Sequence, residues 1–241
     1  MRAVLRLAYD GTDFAGCSPL PGERTVVGEL VAALSRVALA PTFAETLSRT
    51  DAGVHARGNL GHVVLPRSVD PADLLRILDR HLPDDLRCVE VIPVNAPPVA
   101  AEKTYRYQLD RSPFGDPHRA RTWWRVPGAL DEAALHRLAA ACVGTHDFEA
   151  FRRSGETRED LTRTLAAVTW DTVPDGLVCE VRGQGFPYRL VRSLVGGMVM
   201  VARGSASEED FLAALAGGAG PASRQTAPAR GLWLMGIALS G

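Results

Sequence analysis

Residues 46–58 read TLSRTDAGVHARG, and the way this segment joins its neighbours decides the fold. Upstream, residues 43–48 read as a short strand. Downstream, NLGHVVLP (residues 59–66) is an apolar run of strand length. DAGVHARG is then the connection between two strands, with Gly53 letting the backbone pass close by. Working outward, residues 2–9 alternate, with Ala3, Leu5 and Leu7 on one face and Val4, Arg6 and Ala8 on the other, as a strand does. Thr25 precedes VVGELVAALSRVAL, whose apolar residues fall at helical spacing, so Thr25 is the expected N-cap. In SVDPADLLRILDRHL, Asp70 caps a second helix and Pro71 occupies its first position. LRCVEVIPV closes the half as a strand. The order is β-α-β-β-α-β, the split ferredoxin-like arrangement.

NAPPVAAE (residues 95–102) is rich in Pro and Ala and joins this half to a second one. There KTYRYQLD reads as a strand, and residues 114–128 as a long insertion. ALDEAALHRLAAACVG reads as a helix, and LTRTLAAVTWDT and GLVCEVRGQG as strands joined around Pro174-Asp175-Gly176. FPYRLVRSLVGGMVMVARG and SASEEDFLAALAG read as helices, the latter with Ser-x-x-Glu capping signals. GLWLMGIAL is the last strand. The element order repeats with one extra helix. The expectation is an α+β protein of two ferredoxin-like, RNA-recognition-motif-like halves, residues 1–97 and 98–241. Two such halves can set antiparallel sheets side by side and leave an active-site cleft between them.

A chain of 241 residues, 46% hydrophobic, can bury a core without staples. A formal net charge of -1 gives no global attraction to nucleic acid, so any such surface must come from local clustering of the 27 basic residues. Cys17, Cys88, Cys142 and Cys179 are scattered, with no CxxC pair or Cys/His spacing, which points to reduced thiols and no structural metal site. His55 and His62, seven apart, fit no metal pattern and read as hydrogen-bonded or surface side chains. MRAVLRLAYD lacks an apolar signal core, and the longest apolar run, Leu194 to Ala202, is too short to span a bilayer. These features point to the cytoplasm and no membrane.

Asp51 is either an Asx-turn residue before Gly53 or a carboxylate presented on a loop. Arg49, two residues away, shares its face in an extended segment, and a guanidinium there favours an ionised carboxylate, which can act as a nucleophile. Tyr105 and Tyr107 also share a face, either to stack on a base or to pack across strands. Residues 181–204 hold four arginines and no acid. Arg189 and Arg192 share a helix face there, as a phosphate contact, a partner for Asp51, or a solvated basic surface. Residues 103–125 hold six Lys/Arg against two Asp, with Trp123 and Trp124 interleaved, the pattern of a nucleic-acid groove.

Together these segments resemble the tRNA pseudouridine synthase A family. The resemblance runs through YDGTDFAG (9–16), RTDAGVHA (49–56), KTYRY (103–107), GTHDFEAF (144–151), FPYRLVRSLVG (186–196) and APARGL (227–232), in the family's order and over nearly the whole chain. It implies a homodimer that isomerises uridine to pseudouridine in the anticodon arm of tRNA, with no cofactor and no metal. It also implies Asp51 as the catalytic aspartate, Arg192 as its pair, Tyr105 stacked on the uracil, and Arg49 holding open the site left by a flipped base. The chain departs from the family at three places. Cys17 and Ser18 stand where the family has Trp-Gln, with Val27 at a later Gln. Leu47 and Ser48 replace Ala-Gly, and NAPPVAAE replaces a His-Ala-Arg stretch. These departures raise two alternatives: a paralogue acting on a free uridine nucleotide or another RNA for a C-nucleoside metabolite, and an RNA-binding or chaperone protein without turnover.

Overall fold

The computed structural model describes residues 1–218 and 220–240. They are mixed α and β, and the chain divides into two compact units, Met1–Ala101 with Trp233–Gly241, and Glu102–Leu232.

The first unit begins with β1 (Arg2–Tyr9), α1 (Val26–Ser35), β2 (Phe43–Thr46), β3 (His55–Val64), α2 (Pro71–His81) and β4 (Leu86–Pro93). β1 lies between β3 and β4, antiparallel to both, and β2 pairs antiparallel with β3 from Phe43↔Val64 to Thr46↔Gly61. The pairing order is therefore β4-β1-β3-β2. Ala3, Leu5, Leu7 and Tyr9 of β1 are buried, as are Val26, Val27, Leu30 and Leu34 of α1 and Leu74 and Leu78 of α2. The expected caps are present: Thr25 Oγ1 accepts from Gly28 N, and Asp70 Oδ1 accepts from Ala72 N and Asp73 N with Pro71 in the first turn.

The second unit takes up β5 (Ala100–Asp110) from Glu102 onward and contains β6 (Trp124–Arg125), α3 (Glu132–Cys142), β7 (Gly144–Asp147), β8 (Thr162–Val173), β9 (Gly176–Gly183), α4 (Leu190–Ala202), α5 (Glu208–Leu215) and α6 (Pro221–Arg224). Its sheet runs β5-β9-β8-β7, antiparallel, with β6 alongside the end of β5 in parallel. β6, β7 and α6 lie in segments read from sequence as insertion or connection. The capping box of α5 is Ser207 with Asp210, not the Ser-x-x-Glu pair two residues earlier. α4 starts at Leu190 rather than at Phe186, because Pro187 and the left-handed backbone of Arg189 (φ 61°) hold the chain out of the helix until then.

The last strand, β10 (Leu232–Leu239), differs most from expectation. It pairs in parallel with β3, Trp233↔His55 and Leu234↔Ala56, and from Trp233 onward it groups with the first unit rather than with the C-terminal half. This pairing explains why β3 begins at His55, four residues before its expected start. The partners that make 55–58 a strand are β10 and Tyr9, both distant in sequence. Gly58 permits it, since a Cβ there would lie 2.7 Å from the carbonyl oxygen of Met235.

α4 is the central helix of the second unit and is buried over nearly its whole length. It carries Gly196 and Gly197, each costing about 1 kcal/mol of helix propensity relative to Ala. A Cβ on Gly197 would come within 2.5 Å of the Ala222 carbonyl oxygen and 2.9 Å of the Phe211 ring, and one on Gly196 within 2.9 Å of the Gln225 carbonyl oxygen. Close packing therefore outweighs propensity. Gly197→Ala should lower stability by about 1–3 kcal/mol in urea unfolding although Ala is the better helix former. A stabilised variant would show that the segment around Ala222 gives way.

Candidate active site

Asp51 sits in a tight turn between β2 and β3. Val54 N donates to the Asp51 carbonyl oxygen at 3.1 Å, and Gly53 at the third position has φ +77°, the geometry of a type II turn. Ser48 and Thr50 are buried, Asp51 is half-buried and Arg49 is exposed. A chain in which every second residue is held inside presents the side chains between them outward.

Three contacts hold this turn from beneath. The Tyr9 hydroxyl lies 2.8 Å from Thr50 Oγ1 and accepts from Asn59 Nδ2 at 2.9 Å, while Asn59 Nδ2 also donates to the Ser48 carbonyl oxygen at 2.9 Å. Cys17 N donates to the Thr50 carbonyl oxygen at 3.1 Å, and its Sγ receives Thr50 N at 3.0 Å and Thr46 Oγ1 at 3.1 Å. The residue in the family's Trp place thus serves as a buried sulfur acceptor under the loop. The third contact is steric. A Cβ on Gly11 would fall 1.9 Å from the Val54 carbonyl oxygen, and one on Gly16 (φ +105°) 3.0 Å from the Thr50 carbonyl oxygen. The glycines of YDGTDFAG are there because the backbone of RTDAGVHA lies against them.

His55 is fully buried next to this turn. Gly11 N donates to its Nδ1 at 3.0 Å, so that nitrogen presents a lone pair. Asp10 Oδ1 approaches the same nitrogen at 3.1 Å. Asp10 Oδ1 is satisfied by Thr12 N at 3.0 Å and Thr12 Oγ1 at 2.6 Å. The imidazole stacks on Trp233, centroids 4.5 Å apart at 21°, and the Arg57 guanidinium lies 5.4 Å from the same indole. Further out, Arg24 makes a two-pronged pair with Asp85 (2.7 and 2.8 Å) and lies 4.2 Å over the Phe14 ring, which packs edge-on against Tyr9. Arg24 holds the Asp85 carboxyl below the usual carboxylate range.

In the second unit the motif segments KTYRY, FPYRLVRSLVG and APARGL converge. Tyr105 is 6% exposed and meets Phe186 edge-on, centroids 4.9 Å apart. Tyr107 is fully buried, and its hydroxyl donates to the Pro228 carbonyl oxygen at 2.7 Å. Burial pushes the Tyr107 phenol up, while nearby Arg192 and Arg230 pull the other way. Neither tyrosine is a broadly exposed platform: Tyr107 is core, and Tyr105 is nearly buried. Arg192 hooks α4 to the APARGL segment, its Nε donating to the Ala227 carbonyl oxygen at 2.8 Å and its own carbonyl oxygen accepting from Ala227 N at 2.9 Å. Gly231 is required there, since its Cβ would fall 2.5 Å from the Tyr107 ring.

Sequence reasoning missed four supporting residues. Tyr9, Cys17 and Asn59 brace the Asp51 turn. Arg153 brings its Nε to Thr226 Oγ1 at 2.7 Å and its Nη2 to the carbonyl oxygens of Ser223 and Gln225. Burial draws the Arg153 guanidinium below its ordinary range, with Arg189 adding to the effect. The only sequence signal for them was position inside or beside a motif. Arg49 and Asp51 thus share a loop of the first unit, while Tyr105 and Arg192 belong to the second.

The chain that carries these two features has relatives of known kind. Residues 138–238 match the family described as tRNA pseudouridine synthase. The tRNA pseudouridine synthase A of Syntrophotalea carbinolica is 38% identical over 242 residues, covering 98% of this chain and 96% of its own. That of Shouchella clausii is 36% identical, covering 97% and 91%, and that of Frankia casuarinae 37%, covering 98% and 89%. Over its whole length, then, the chain belongs to the tRNA pseudouridine synthase A family.

The brace under the Asp51 turn gives a direct test. Gly11→Ala should destabilise the fold by about 3 kcal/mol in urea unfolding, because neither Val54 nor Gly11 has a flexible side-chain end to move aside. Gly236→Ala, where a Cβ meets no atom within 4 Å, should cost under about 1 kcal/mol. Equal costs at the two positions would show that the contact does not constrain the turn.

Proposed function

We propose that the protein isomerises a uridine in the anticodon arm of tRNA to pseudouridine, with Asp51 as the catalytic carboxylate. The observation that carries this reading is the half-exposed Asp51 at a turn whose backbone is clamped on its inner side by Tyr9, Gly11 and Cys17. The reaction breaks N1–C1′, turns the uracil, and forms C5–C1′. C5 gives up its proton and N1 ends with one, so product and substrate have the same atoms and no redox partner is needed. Such a reaction calls for an anion fixed beside the sugar and kept from moving as charge develops. A buried, hydrogen-bonded turn backbone supplies that rigidity. In this reading Tyr105 contacts the uracil, Arg192 pairs with the carboxylate, and exposed Arg49 fills the gap left by the flipped base.

The same reading takes the first unit as ferredoxin-like, supported by its antiparallel β4-β1-β3-β2 order, and the second as its counterpart. The working form is a homodimer in the cytoplasm. No helix among the described residues is long and apolar enough to cross a membrane. The relatives named above carry tRNA in their names, and none supports the free-nucleotide alternative. The presence of Asp51, Tyr105 and Arg192, each within its own motif, argues against an RNA-binding protein without turnover.

Asp51→Asn should abolish pseudouridine formation from a tRNA transcript while leaving far-UV circular dichroism unchanged, since the amide keeps the shape and loses the nucleophilic charge. Residual turnover within about tenfold of the parent, roughly 1.4 kcal/mol of barrier, would remove Asp51 from the chemistry.

Tyr105→Phe keeps the ring that packs on Phe186 and should bind tRNA within about twofold of the parent, whereas Tyr105→Ala loses a stacking contact of about 1–3 kcal/mol and should bind weakly. Phe binding without turnover would assign the hydroxyl a chemical role. Unimpaired binding by a folded Ala variant would take Tyr105 off the substrate.

A further inference from the structure

We infer that the loop following β5 builds a second RNA subsite, which takes a phosphate on Arg125 and stacks a base on Phe114. The inference rests on the tRNA reading above and adds a contact to it. A cavity of about 460 Å³ opens in the second unit, lined among others by Asp110, Phe114, Arg119, Trp123, Arg125 and Arg230. That volume is within the range of ligand pockets, about 300–1,000 Å³.

The loop is built rather than loose. Asp110, 3% exposed, accepts from Ser112 N at 3.0 Å, Ser112 Oγ at 2.7 Å and Asp116 N at 3.4 Å, and lies 3.7 Å from Arg119 Nη1. Arg119 donates to the carbonyl oxygens of Asp175 and Pro174 at 2.8 and 2.9 Å and lies 4.3 Å over the Trp123 ring. Asp116 faces Arg119 Nε at 3.5 Å and caps His118 N at 2.8 Å. Both acids of the cavity are thus turned toward Arg119 and the loop backbone. Gly115 (φ +83°) lets Arg125 lie across the loop, where a Cβ would meet its Nε at 2.9 Å, and Arg125 Nη2 donates to the Pro113 carbonyl oxygen at 3.1 Å.

What faces outward is cationic and aromatic. Arg125 and Arg230 are exposed, and Phe114 is 96% exposed at the lip. An aromatic ring held out in water on the same loop as the Arg125 guanidinium is what a single-stranded nucleotide requires: a flat surface for the base and charge for its phosphate. The occupant is not the nucleotide at Tyr105. Asp110 lies five residues further along β5, about 16 Å at about 3.3 Å per residue.

The test is the affinity of the full-length protein for an unmodified tRNA transcript, measured over a range of salt concentrations without reference to turnover. Phe114→Ala should raise Kd about five- to tenfold. Arg125→Ala should make the slope of log K against log salt shallower by about 0.7–0.9. Both side chains are exposed, so circular dichroism and the melting midpoint should not change. Affinities within about twofold of the parent and an unchanged slope in both variants would overturn the subsite. Parent protein that binds tRNA with these dependences but forms no pseudouridine would sink the isomerase reading alone. Intact turnover with unaltered binding in both variants would sink the subsite alone.

Discussion

The first unit depends on the contact between the backbone at Gly11 and the carbonyl of Val54. No side chain fits between them, since even a methyl carbon on Gly11 would lie 1.9 Å from that oxygen. Because they touch, Gly11 N reaches His55 Nδ1, Tyr9 reaches Thr50, and Cys17 exchanges hydrogen bonds with Thr50. The turn carrying Asp51 is therefore held through its buried even-numbered neighbours, while Arg49 is exposed and Asp51 half-buried. In the proposed reading the carboxylate benefits, because the hydrogen bonds of its neighbours brace the turn against drift as charge develops beside it.

The second unit reaches a comparable rigidity by another route. Here side chains bind backbone: Arg192 takes Ala227, Tyr107 takes Pro228, and Arg153 takes the carbonyls of Ser223 and Gln225. An irregular segment, 223–231, has few ladder partners of its own, so its carbonyls must be satisfied by donors from elsewhere. Arginine suits this because its donors are fixed in a planar fork. Arg192, proposed above to pair with Asp51, is thereby also a strut, and its position in the unit is set by α4 packing with no room to spare at Gly196 and Gly197.

The departures from the family pattern take on physical meaning in this setting. Cys17 is small enough to sit wholly beneath the loop and to accept from Thr46 and Thr50, whereas an indole at that position would need a different floor. Ser48 is buried and gives its carbonyl to Asn59. The near-neutral total charge is no bar to RNA, because charge acts locally. Arg137 with Glu208 and Arg152 with Glu149 cancel in surface pairs, while Arg125 and Arg230 are gathered at one cavity.

Much of this protein was legible from the chain alone. Local rules suffice for α1 and α2 and their caps at Thr25 and Asp70, for β1 and for the β8–β9 hairpin, because each is governed by periodicity or by a cap within four residues. The motifs drew attention to Asp51, Tyr105 and Arg192, whose roles belong to the proposal. Tertiary structure alone decided the rest. The start of β3 at His55 depends on β10, which lies some 180 residues later in the sequence. Burial of Tyr107 and the near-burial of Tyr105 depend on Pro228, Trp124 and Phe186. That Gly11 must be a glycine depends on Val54. Periodicity describes one segment and its solvent, and it cannot say which distant backbone will come to lie against it. Here those distant approaches are what fix the turn that carries Asp51.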